Sequence, residues 1–139
     1  MTSLRQRMLE DLKLRGLSES TQELYVRAVR QLAEHYGRPP DQITDEELRR
    51  YFLHLRDVRG IAQNTLQINL SALRFFYQHT LGKDMPTLEL VRARREKKLP
   101  VVLSIAEVRQ VLECIRRLRY RACLSTIYSC GLRIFEAVS

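Results

Sequence analysis

The stretch from Thr65 to Thr80 is the part of this chain least able to stand alone. Leu66, Ile68, Leu70, Ala72, Leu73, Phe75, Phe76 and Tyr77 put apolar side chains on almost every side of a helix. A helix so apolar all round has to be buried among others. Its one polar stripe, Gln67, Ser71, Arg74 and Gln78, recurs at offsets of 4, 7 and 11, and must point through whatever gap its neighbours leave. Asn64 is placed to cap this helix.

The preceding residues supply the neighbours. Leu4, Met8, Leu9 and Leu12 share one face of a short helix that begins at Ser3 and ends by Gly16. Ser18 is the expected cap of a second helix, in which Tyr25, Ala28, Val29, Leu32, Ala33 and Tyr36 fall on one side. Gly37 and Pro39-Pro40 stop it. Thr44 with Glu47 forms a capping box that opens a third helix, with Leu48, Tyr51, Phe52 and Leu55 inward. Nothing in residues 1–80 alternates with period two, so the spacing predicts an all-α chain. Residues 1–81 are expected as a compact four-helix bundle.

From residue 82 the pattern changes. Gly82, Pro86 and Pro100 punctuate, and Arg92-Ala93-Arg94-Arg95-Glu96-Lys97-Lys98 is a basic run with little to bury, so residues 82–100 read as a basic linker. Ser104 and Glu107 make a second capping box ahead of Val108, Leu112 and Ile115. The basic turn Arg116-Arg117-Leu118-Arg119-Tyr120-Arg121 then leads into a helix through Leu124, Ile127 and Tyr128. The formal net charge is +8, unevenly placed. Residues 1–60 carry 11 basic and 10 acidic side chains, residues 61–100 carry 7 and 3, and residues 101–139 carry 6 and 3. Such a second half suits a polyanionic partner.

The chain ends on a corner. Gly131 can close one helix and open the next, which leaves Arg133 at a helix start, where a planar guanidinium grips phosphate well. An internal bond to a carboxylate such as Glu136 is the competing use of Arg133. Cys114, Cys123 and Cys130 fit no metal spacing and read as buried structural thiols. His35, His54 and His79 form no catalytic cluster in the sequence. With no run of about 18 apolar residues and no apolar leader at Met1, a cytoplasmic or nucleoid location without a membrane partner is expected.

Gly131-Leu132-Arg133-Ile134-Phe135-Glu136-Ala137 resembles the Gly-Leu-Arg-Ile-Ser-Glu-Ala box of the tyrosine recombinases, the phage-integrase family of site-specific DNA recombinases, with Phe135 where a small polar residue is usual. Earlier residues resemble the family in the same order. They are Ser18, Thr21 and Tyr25; Thr65 followed by Leu70-Ser71-Ala72-Leu73-Arg74-Phe75-Phe76; and Leu99-Pro100, Leu103-Ser104 and Glu107-Val108. The resemblance implies a helical SAM-like core-binding domain in residues 1–81, and the truncated, helical start of a catalytic domain in residues 101–139. It implies double-stranded DNA as partner, clamped between the two domains, and no metal or other cofactor. Arg133 takes the role of the first catalytic arginine. The stripe Gln67, Ser71, Arg74 and Gln78 would face a groove, and Arg92, Arg94, Arg95, Lys97 and Lys98 would follow phosphates. The family's other catalytic groups, including the nucleophilic tyrosine, lie further along than Ser139, so strand cleavage by this chain alone is not expected. A homo-oligomer stays open, as do two rival readings: a stand-alone DNA-binding regulator and a helical protein-interaction module.

Overall fold

A computed structural model describes residues 3–94 and 99–138, and every regular element among them is helical. The chain divides into two units, residues 1–97 and 98–139. The first holds α1 (Ser3–Leu14), α2 (Glu19–Tyr36), α3 (Asp45–Leu53), α4 (Gln63–Phe75) and α5 (Pro86–Leu90). A π-helical turn extends α3 through His54–Val58, and another extends α4 through Phe76–Thr80. The second unit holds α6 (Ile105–Glu113), α7 (Leu118–Cys130) and α8 (Ile134–Val138). Among the described residues no helix is long and apolar enough to cross a membrane.

Local chemistry sets the helix ends. Ser18 Oγ accepts the Thr21 N–H, and Gly37 closes α2 in the left-handed region at φ 60°. At α3, Thr44 Oγ1 accepts the Glu47 N–H at 3.3 Å while Glu47 Oε2 accepts the Thr44 N–H at 2.9 Å. That backbone bond, with an ion pair to Arg38, holds the Glu47 carboxyl below the usual carboxylate range. The start of α4 differs from expectation. Its cap is Ala62, with no side-chain bond, so Asn64 already lies inside the first turn and is not the cap.

The apolar pattern of α4 has the expected result. The helix packs against α2, its π-helical extension against α1, and Leu66, Leu70, Ala72, Leu73, Phe76 and Tyr77 are buried. Two tyrosine hydroxyls find backbone partners: buried Tyr77 donates to the Pro40 carbonyl at 2.6 Å, and half-buried Tyr36 to the Glu47 carbonyl at 2.7 Å. The first of these bonds ties the connection between α2 and α3 to the central helix, and the second ties the end of α2 to α3.

Part of the segment expected as linker is folded onto this bundle. Met85, Thr87 and Leu88 are buried, and α5 packs on α3 and α4. Asp45 fixes α5 in place, its carboxylate accepting both the Thr87 N–H at 3.0 Å and the Thr87 hydroxyl at 2.8 Å. Burying Leu88 alone favours this arrangement by about 1.5–3 kcal/mol. Charge dominates the sequence pattern of residues 82–100, whereas three side chains decide where its first half goes.

Where α2 and α3 end, the His35 ring meets Tyr36, Tyr51 and His54 at centroid distances of 4.7, 5.2 and 4.8 Å. Desolvation, then the nearby His54 and Arg59, lower the His35 pKa from its ordinary 6.5. Protonation is therefore harder in the folded chain, and the unfolded chain binds more protons. The stability from His35 is complete above pH 6.5 and drains away as acid protonates the ring. The melting temperature should fall as pH is lowered through this range, and His54→Gln should flatten the fall. A pH-independent melting temperature would contradict the arrangement.

The second unit is built from the same local signals but buries little. Ser104 and Glu107 form their reciprocal cap, and Gly131 ends α7 at φ 63°, its N–H reaching the Ile127 carbonyl. No described residue of α6, α7 or α8 is buried, and Leu124 and Ile134 stay 41% and 67% exposed. The cysteines therefore depart from expectation: Cys114 and Cys130 are exposed and Cys123 is half-buried. Helical apolar spacing puts these cysteines at or within helices. It says nothing of whether another layer covers them.

Candidate nucleic-acid interface

The polar stripe of α4 is where backbone and charge converge. Gln67, Ser71, Arg74 and Gln78 are each half-buried, neither core nor freely solvated. The Gln67 amide donates to Ser71 Oγ at 3.3 Å, which orders the N-terminal end of the stripe. Arg74 donates through Nη2 to the Leu88 carbonyl at 2.6 Å, joining α4 to the end of α5. Its Nε is buried without a hydrogen-bond partner.

The chain after α5 passes beside this stripe. Arg56 holds the Arg92 carbonyl at 3.0 Å, and the Arg94 N–H donates to Gln63 Oε1 at 3.2 Å. The result is a hollow of about 560 Å³, walled by Gln67, Arg74 and Gln78 along the α4 rod and by Glu89, Arg92 and Ala93 from the facing segment. A second hollow of about 340 Å³ shares Gln67 and Ala93 and reaches Gln63, Asn64 and Arg94. Together they form a trough along α4, mainly polar beside Arg74 and Gln78 and mainly apolar beside Gln63 and Arg94. The Arg92 and Arg94 side chains are exposed at its edge.

Of the residues singled out in the sequence, Gln67, Arg74, Gln78, Arg92 and Arg94 line these hollows, and Ser71 is tied to them only through Gln67. Arg95, Lys97 and Lys98 lie outside the described residues. Sequence reasoning passes over Gln63, which extends the stripe by one more helical turn from Gln67, and Arg56, whose reach to residue 92 no local pattern signals. It also passes over Glu89, the one acid in the wall, which reduces the local positive charge.

Arg133 stands in the second unit, just past the Gly131 corner. Its backbone N–H donates to Glu136 Oε2 at 2.9 Å, so the Glu136 carboxylate satisfies a backbone donor at the start of α8. The ion pairs among the described residues are Arg30–Glu34, Arg38–Glu47 and Arg50–Glu46, and the exposed Arg133 side chain belongs to none of them. No group of three or more His, Cys, Asp or Glu that suits a metal ion occurs among the described residues.

Known proteins resemble this chain both in sequence and in fold. The family described as "Phage integrase, N-terminal SAM-like domain" matches residues 4–87. The "Putative integrase/recombinase y4qK" of Sinorhizobium fredii is 42% identical over 99% of this chain and 45% of its own length. The tyrosine recombinase XerD of Halalkalibacterium halodurans is 30% identical over 89% of this chain and 46% of its own. This chain thus spans less than half the length of these curated relatives. The crystal structure of XerA recombinase superposes with a TM-score of 0.57 at 23% identity, covering 81% of this chain and 39% of that one, which is a likeness of fold.

Proposed function

Because this chain belongs to the phage-integrase family of tyrosine recombinases, we propose that its α4 trough is a duplex-DNA contact surface. The observation that carries this reading is the meeting of the polar stripe with Arg92 and Arg94 along one trough. Gln67 and Gln78 offer amides able to pair with base edges in a major groove, while Ser71, Arg92 and Arg94 suit phosphate oxygens. Arg95, Lys97 and Lys98 continue the phosphate track in sequence. Arg74 contributes charge but is first a positioning residue, since one of its nitrogens holds the Leu88 carbonyl.

The reaction that the family supports is DNA strand exchange through a 3′-phosphotyrosyl link. Arg133 would hold the scissile phosphate and offset the charge that builds on its oxygens. Within residues 1–139 it is the one residue that matches the family's catalytic set.

Substitution in the trough tests the assignment. Arg92→Ala and Arg94→Ala should each weaken binding to every duplex alike and reduce the slope of log affinity against log salt by about 1. Gln67→Ala and Gln78→Ala should instead narrow the gap between target and random sequence, by about 1–3 kcal/mol for each bidentate base pairing removed. Fluorescence anisotropy with labelled duplexes measures both. Wild-type affinity and selectivity in all four variants would place the DNA surface elsewhere.

A further inference from the structure

Between α1 and α2 lies a hollow that differs from the trough in both lining and place. It measures about 370 Å³, a size found among small-molecule sites. Leu4 and Met8 of α1, Val29 and Ala33 of α2, and Pro40 and Phe76 give it mainly apolar walls. Met8 and Phe76 are each 1% exposed and form its floor, while Leu4, Ala33 and Pro40 stand half-buried at its sides. Among the described residues no acidic side chain lines it, and its charged groups are Arg5 and Arg30.

A second hollow, of about 390 Å³, shares Arg5, Val26 and Arg30 with the first and is more polar than apolar. Arg27, Glu19 and Glu23 also line it. An apolar chamber and a polar one thus meet at two guanidiniums. Arg5 is exposed, and among the described residues it joins no ion pair. Arg30 reaches Glu34 at 3.6 Å, with both side chains well exposed. A surface pair of that kind contributes little, so its guanidinium is readily turned to another anion.

The lining selects one kind of ligand. An apolar tail gains by leaving water for the first hollow, and a carboxylate at the shared wall meets guanidinium forks that suit its two oxygens. Around the second hollow, three arginines face two glutamates, a surplus of one positive charge. That balance matches a single negative charge, and the glutamates oppose a dianion such as a phosphate monoester. We infer that the hollow between α1 and α2 binds a small amphipathic carboxylate, its apolar tail between the helices and its carboxylate held by Arg5 and Arg30. The inference stands apart from the DNA reading, since none of these residues lines the trough.

The test is calorimetric titration of the full chain with octanoate, kept below the concentration at which it forms micelles. One saturable site per chain is expected, with a raised melting temperature because the ligand binds only the folded state. Butyrate, with the same head and a shorter tail, and octyltrimethylammonium, with the same tail and the opposite charge, should each bind about tenfold more weakly or worse. Arg5→Gln/Arg30→Gln alters only exposed side chains, so it should keep the melting temperature of the free chain and lose about tenfold in octanoate affinity. Ala33→Leu places a branched side chain in the hollow and should abolish binding. If that variant fails to fold, the arginine variant, which leaves the core untouched, decides alone. Absence of saturable octanoate binding to the unmodified chain overturns the site. So does octyltrimethylammonium binding as tightly as octanoate, or wild-type octanoate affinity in either folded variant.

Discussion

Replacing Phe76 with alanine is expected to lower the unfolding free energy by about 3–5 kcal/mol. The residue is 1% exposed and stands at the joint where α4 passes into its π-helical turn. Its ring lies edge-on to Tyr77 at a centroid distance of 5.3 Å, within the same core cluster as Met8, Val29 and Leu32. Alanine would remove most of that side chain at the meeting of α1, α2 and α4. The loss has two parts, the transfer energy of the ring and the cavity left where helices cannot close fully. Small domains hold only about 5–15 kcal/mol in total, so the variant should be partly unfolded at ordinary temperature. Urea unfolding followed by helical circular dichroism measures the change. A loss under about 1 kcal/mol, the range of surface substitutions rather than core ones, would mean that α4 is not the centre of the bundle. Leu53→Ala, at a side chain 50% exposed, is the matched control and should shift the midpoint little.

The features legible in the sequence are those whose cause is local. The burial of α4 follows from apolar residues on every side of it. The caps at Ser18, Thr44 and Ser104 follow from a hydroxyl followed by its backbone or carboxylate partner within three residues. The corner at Gly131 follows from the one residue type that takes its φ without a Cβ clash. What stays hidden depends on partners far along the chain. Five residues are too few for α5 to show a period, and its anchor, Asp45, is 42 residues from Thr87. The same limit applies to the candidate site. Periodicity exposes the stripe of α4, but the wall that makes it a trough comes from residues 89–94, placed by Arg56 and Gln63. The cysteine reading fails for the opposite reason. Their helices are correctly expected, but burial belongs to packing between layers, and the second unit shows almost none.

Affinity for duplex DNA is the other large expected effect, and it depends on salt more than on any one side chain. The trough places Arg92 and Arg94 beside α4, and the sequence adds Arg95, Lys97 and Lys98. Each cation that neutralises a phosphate releases condensed counterions, and that release weakens as bulk salt rises. The effect is independent of base sequence, so it should appear on any duplex, whereas the base contacts proposed for the stripe glutamines should separate one sequence from another. A helical protein-interaction module with the same net charge would lack such a slope, because scattered surface cations do not engage a phosphate track together.

The decisive measurement is a salt titration of the unmodified chain against a mixed-sequence duplex, read by fluorescence anisotropy. With about 6 phosphates engaged, affinity should fall about a thousandfold between about 50 and 200 mM salt. Binding that is absent at low salt, or that persists without slope across the titration, would contradict the assignment of this chain as a DNA-binding portion of a tyrosine recombinase.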